Sequence, residues 1–212
     1  MTARAFRLTA YDFSSAEGYM PETKGLRFAY ADNTELEFIA KEGTRKIAPG
    51  DGHFLPPETM LRGGGWLFEM TRPEVPFLPT SVAQIELAAG IALEGDGPFF
   101  LRADGVSSSP GAATPRHGHR GPGIRRLSKG LLMAEVGDFT KRIRAGEAWF
   151  ETGKEWVVGS NISQAGNTFI RVMALPAELK GGKSSFVPAS PEEAAKPRAV
   201  QYRLFDEVDI LW

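Results

Sequence analysis

Gly111–Gly130 reads GAATPRHGHRGPGIRRLSKG, and Gly146–Asn161 reads GEAWFETGKEWVVGSN. These two stretches decide the fold. Each sets strand-forming residues between glycines and prolines at short spacing, the pattern of strands joined by tight turns. In the first, His117 and His119 stand two apart. Residues two apart on a strand share a face, so the two imidazoles project together. Arg125 and Arg126 are adjacent, so only one of them can face inward. From Gly105 to Ala134 the cations are Arg116, Arg120, Arg125, Arg126 and Lys129, with no Asp or Glu among them. An inward arginine beside two imidazoles suits a carboxylate or phosphate ligand. A solvated basic edge explains the same charges.

The same punctuation runs through the rest of the chain. Gly 24 and Pro 15 in 212 residues exceed the ~12% of average usage. Between them lie short runs that read as strands, among them Ala5–Phe13, Leu26–Ala31, Trp66–Met70, Phe99–Ala103, Leu131–Val136, Thr168–Leu175 and Val200–Leu211. Many short strands with frequent turns indicate a sandwich or barrel. Gln84–Leu93 fits either a helix or a strand. Ser190–Ala195 carries a capping serine, a proline in the first turn and two glutamates, which predicts a single helical turn.

At about 150 residues per domain, 212 residues make one large domain or two small ones. The chain can bury about 70% of its unfolded surface and needs no staples. Lys+Arg 25 against Asp+Glu 26 leaves a net charge of -1, which gives no global field for nucleic acid or a membrane surface. The longest nearly apolar run, Leu87–Leu93, is far short of the ~20 residues of a spanning helix. The start of the chain has no apolar core of a secretory signal, and cysteine is absent. Both are compatible with the cytoplasm. Any imidazole chemistry rests on His53, His117 and His119. There is no P-loop and no nucleophile elbow.

The quoted window resembles the cupin superfamily, whose two motifs run G(X)5HXH(X)3-4E(X)6G and G(X)5PXG(X)2H(X)3N. Gly111, His117, His119 and Gly130 fall in register with the first, and Gly146 and Asn161 with the second. The departures are as specific. Gly123 stands in the slot of the metal-binding glutamate, or Ile124 at the looser spacing. Thr152 and Lys154 replace the usual proline and glycine, and Val157 takes the place of the third metal histidine.

The resemblance implies an all-β protein, a cupin-like double-stranded β-helix (jelly-roll) barrel with an N-terminal β-rich extension. The expected division is residues 1–79 as a β-rich segment or degenerate cupin half, 80–178 as the barrel, and 179–212 as a surface segment and C-terminal strand. It implies a small-molecule ligand and a homodimer, while the near-neutral charge and the short apolar runs argue against a nucleic acid or membrane partner. His117 and His119 are the candidate catalytic residues. A divalent transition metal (Fe, Mn, Ni or Zn) needs a third protein ligand. The candidates are His53, in IAPGDGHFLPP, and Glu155, two residues from Val157. Arg126, Arg116, Trp149 and Trp156 are the candidate ligand-binding residues, the aromatics serving equally as core packing.

Two functions follow. One is a cupin-type enzyme on a small carboxylated or otherwise anionic substrate: a dioxygenase, isomerase or lyase if a metal binds, or histidine acid–base chemistry without one. The alternative is a non-catalytic ligand-binding cupin without metal.

Overall fold

The computed structural model describes residues 4–211. The chain divides into two compact units, the first ending at Asp96 and the second beginning at Gly97.

The first unit is one antiparallel sheet of seven strands: β1 (Arg4–Tyr19), β2 (Leu26–Ala31), β3 (Leu36–Ala40), β4 (Gly43–Ile47), β5 (Asp51–Phe54), β6 (Met60–Thr71) and β7 (Ala83–Leu93). Their order is β4-β3-β6-β1-β7, with β2 pairing both β5 and β6. Tyr11, Phe13, Leu36, Phe38, Leu61 and Leu67 are buried together as its core. Glu69 is buried among them and accepts from Arg27 Nε at 2.8 Å and from Tyr11 Oη at 3.1 Å. Burial and the Glu69 charge push the Tyr11 phenol up to about 12.

Gln84–Leu93, ambiguous in sequence, lies wholly in β7. It pairs with β1 from Arg4↔Leu93 to Phe13↔Ala83. The pairing carries the first unit past the expected boundary at residue 79, to Asp96.

The second unit holds two five-stranded sheets. Its strands are β8 (Phe99–Ser108), β9 (His117–His119), β10 (Gly123–Lys129), β11 (Leu131–Val136), β12 (Phe139–Arg144), β13 (Ala148–Glu151), β14 (Val157–Asn161), β15 (Asn167–Pro176), β16 (Phe186–Pro188) and β17 (Val200–Ile210). One sheet runs β13-β10-β15-β8-β17 and the other β12-β11-β14-β9-β16. The C-terminal segment therefore belongs to the second unit, with β17 along β8. The tail expected to join a sheet runs to Trp212, which lies outside the described residues. Leu127 and Trp149 of the first sheet pack with Leu132, Ala134 and Ile143 of the second. The helical turn α1 (Pro191–Ala195) forms as its sequence predicts, with the Ser190 side chain accepting from Glu193 N.

The corner glycines carry out the turns assigned to them. Gly111, Gly130 and Gly146 all have positive φ, at 71°, 87° and 90°, a region that costs little only for glycine. Asn161 closes the second motif from a buried position. Its Nδ2 donates to the carbonyls of Ser108, Ser109 and Ala165, and its Oδ1 accepts from Ser163 N and Oγ. One side chain thus satisfies several loop groups, a structural role.

Candidate functional site

The site begins with a row of side chains across one sheet. Asp104 on β8 lies directly opposite Arg171 on β15, and Arg171 directly opposite Arg125 on β10. Trp149 on β13 is opposite Arg125 on its other side, and Glu151 is opposite Gly123. Two like charges directly opposite each other destabilise a sheet. Here each guanidinium has an acid on its outer side. Arg171 donates to both Asp104 oxygens, through Nε and through Nη2 at 3.0 Å. Arg125 Nη2 stands 2.6 Å from Glu151 Oε2, and Nη1 donates to Gly123 O at 2.6 Å. Trp149 Nε1 donates to Glu151 Oε1 at 2.9 Å. Arg125 is only 1% exposed. Its burial lowers its pKa to about 10 despite Glu151, so it stays charged at neutral pH. Glu151 Oε2 has charge partners but no donor directed at it in hydrogen-bond geometry.

The histidines come from the other sheet. His117 and His119 share a face of β9, as their spacing requires, with ring centroids 4.8 Å apart and nearly perpendicular planes. His119 Nε2 is 3.3 Å from Glu151 Oε2, and its Nδ1 lies 3.4 Å from Ser185 Oγ. His117 stacks on Phe186 at 4.4 Å, and its Nδ1 is 2.8 Å from Pro115 O. A carbonyl oxygen only accepts, so Nδ1 carries the proton and Nε2 is the bare nitrogen of the neutral ring. Burial, then the Arg125 and Arg171 charges, hold His119 well below the ordinary imidazole value of 6.5. Burial also lowers His117, against the Pro115 hydrogen bond and Glu151. Both rings are neutral at pH 7.

Two spaces adjoin these groups. An inner cavity of about 50 Å³ is lined by His117, His119, Arg125, Trp149, Glu151 and Arg171, among others. A chamber of about 240 Å³ shares His119, Arg171 and Tyr202 with it and adds Ser184, Ser185, Phe186 and Arg198.

The sequence candidates separate by strand parity. His117, His119 and Trp149 come together around the inner cavity. Arg126 does not. Arg125 takes the inward position, and Arg126 turns its Nε to Gly146 O at 2.7 Å. Arg116 precedes the inward His117 by one residue and is exposed, its backbone N–H donating to Glu193 Oε2. Trp156 is 42% exposed. Its ring lies over Gly118, whose Cβ would stand 3.3 Å from it, on the face of β9 opposite the imidazoles. Glu155 sits in the turn before β14, where strand alternation has not begun. Its Oε2 accepts from Thr152 N and Oγ1 at 3.1 and 2.6 Å. Those bonds outweigh burial and hold it below the usual carboxylate range. His53 is exposed on β5 of the first unit.

Sequence reading left the choice between Arg125 and Arg126 to strand parity and chose Arg126; it passed over Glu151, Arg171 and Asp104 as site residues. A signal existed for the last two: each is an ionisable residue within an apolar strand, and buried charges come in pairs.

The donor set does not fit a resident divalent metal. Val157 fills the third histidine's slot directly opposite His117 and is buried. A side chain at Gly123 has no space, since its Cβ would lie 2.5 Å from Val172 O. The nearby carboxylate, Glu151, already faces a guanidinium. Among the described residues no three His, Asp or Glu side chains form a metal-binding group, and no helix is long and apolar enough to cross a membrane.

No protein-family model matches the chain, and no curated protein matches it in sequence. Solved structures do match in shape. The S-to-A mutant of Bacillus subtilis oxalate decarboxylase superposes with TM-score 0.60 at 11% identity, over 90% of this chain and 73% of that one. AerE from Microcystis aeruginosa superposes with TM-score 0.54 at 14% identity, over 81% and 88%. A cupin 2 conserved barrel domain protein from Leptotrichia buccalis gives 0.51 at 12%, over 82% and 85%. At such identities the likeness is one of fold. The chain has the cupin superfamily fold, as its motif spacing predicts.

Proposed function

We propose that this chain is a metal-independent cupin that binds a small organic carboxylate in the 240 Å³ chamber. The observation that carries the reading is Arg198. Among the arginines of that chamber, Arg102 is paired with Glu207 and Arg171 with Asp104. Arg198 donates to Ser184 Oγ at 3.1 Å and lies 4.2 Å from the Phe186 ring centroid. It is exposed, so its guanidinium is free to form the forked pair that a carboxylate accepts. Ser184 and Ser185 offer hydroxyl donors beside it. His119, neutral and buried, offers ring nitrogens at the inner end of the chamber. Phe186 and Tyr202 supply apolar wall.

A second reading, acid–base catalysis on the same ligand, is favoured by His117. Its bare Nε2 belongs to a ring held in one tautomer by Pro115 O, the arrangement of a general base. His119 would then orient the ligand between the chamber and that nitrogen. The fold likeness spans more of the chain than the second unit alone supplies, which supports reading the first unit as a cupin half without the metal motif.

The test is calorimetric titration of small mono- and dicarboxylates against their neutral amides, on wild type and Arg198→Ala. A hydrogen-bonded charge pair is worth about 1.5–3 kcal/mol, so the variant should bind a carboxylate about tenfold or more weakly, with unliganded stability unchanged. Equal affinity for acids and amides overturns the reading.

A further inference from the structure

We infer that Arg125 is a resident cation standing in for the barrel's metal ion, and that its charge keeps a divalent metal out of the His117–His119–Glu151 set. This extends the metal-independent reading above.

Three observations carry it. First, the guanidinium lies where carboxylate and imidazole meet. Arg125 Nη2 is 2.6 Å from Glu151 Oε2, and the same oxygen is 3.3 Å from His119 Nε2. Second, the carboxylate has moved one strand over. Gly123, in the glutamate's motif slot, is directly opposite Glu151 across the β10–β13 ladder. Val172 O and Met173 close the space at Gly123 itself, so a carboxylate on this wall has to come from the neighbouring strand. Third, the set is incomplete as a hydrogen-bond network. Glu151 Oε2 is buried and receives no directed hydrogen bond, which suits a site whose partner is a charge and not a particular donor.

Two imidazoles and one carboxylate are the donor types of an open transition-metal site, but with Arg125 in place they are not gathered as one. A fixed guanidinium beside them opposes a second cation in a medium where charges interact strongly. Arg125 is therefore a positioning residue. It holds Glu151 against Trp149 and His119, the task an ion would otherwise perform. Arg171, directly opposite Arg125, adds to the same opposing field.

The experiment uses the full chain without affinity-tag histidines, titrated with Co²⁺ and read by visible absorption, calorimetry and elemental analysis. Wild type should take up no Co²⁺ that depends on His117, so wild type and His117→Ala should behave alike. Arg125→Met should bind one Co²⁺ per chain with tetrahedral or five-coordinate absorption, lost again on adding Glu151→Gln. Arg125→Met leaves Glu151 unpaired and is unfolded without metal if the pair is essential; it should then gain its unfolding transition only when Co²⁺ is present. Arg125→Lys, which keeps a cation, should stay folded and metal-free. Uptake of Co²⁺ by wild type, lost in His117→Ala, overturns both the inference and the metal-independent reading. A folded Arg125→Met that takes no more Co²⁺ than wild type, or an Arg125→Lys that takes as much as Arg125→Met, overturns the inference alone.

Discussion

Replacing Glu151 with leucine removes the acid from a guanidinium that is 1% exposed. Two costs follow. Breaking a buried ion pair by deleting one partner costs about 3–5 kcal/mol, because the remaining charge is left in a poor solvent. Trp149 Nε1 also loses its acceptor at 2.9 Å, and an orphaned buried donor costs about 1–3 kcal/mol. The groups are neighbours, so the costs do not add in full, and the expected loss is about 5 kcal/mol. That is comparable with the whole stability of a small domain, about 5–15 kcal/mol. The cost should be sharpened by Arg171, which faces Arg125 directly with only Asp104 left to balance the two.

The companion is Arg125→Met with Glu151→Leu. Removing both charges leaves mainly the Trp149 donor, so the double variant should lose about 2 kcal/mol, less than Glu151→Leu alone. The assay is urea unfolding followed by tryptophan fluorescence and near-ultraviolet dichroism, with separate transitions fitted for the two units. A loss under about 1 kcal/mol in the single variant, or a double variant no more stable than the single one, would refute the reasoning. Arg125 would then be solvated as a surface charge is.

Acid should destabilise the second unit before its carboxylates titrate. The folded pKa values of His117 and His119 lie below 6.5, so between those values and 6.5 the unfolded chain binds more protons. Stability is then complete above about pH 6.5 and falls as pH drops towards 5, by up to about 1.4 kcal/mol per pH unit for each histidine. His119→Gln should flatten that slope in pH-dependent urea midpoints, and an unchanged slope would show that His119 does not titrate there. Gly123→Ala places a Cβ 2.5 Å from Val172 O. It should cost about 1–3 kcal/mol through overpacking, and a melting temperature equal to wild type would mean that β10 shifts freely.

The barrel was legible because its signals are local. Gly111, Gly130 and Gly146 take positive φ at turns, and a glycine at fixed spacing marks such turns without reference to the rest of the chain. His117 and His119 share a face because alternation belongs to the strand itself. The turn at Ser190–Ala195 followed from its own capping residues. Predictions weakened where a strand had to be placed. Glu155 lies two residues from Val157, but the residues before Val157 form a turn, so strand alternation does not reach it. Gln84–Leu93 showed its character only through its pairing with β1.

The sequence by itself therefore determined the fold, the turns, the shared direction of the two imidazoles and the loss of two metal-ligand positions. All of these depend on residues close together along the chain. Only the tertiary structure decided which arginine faces the cavity, and that Glu151 lies across the ladder from Gly123. It also decided that Asp104 meets Arg171 sixty-seven residues away. Charges in a buried site interact through space across neighbouring strands, and strand order and register are properties that no single stretch of the chain contains.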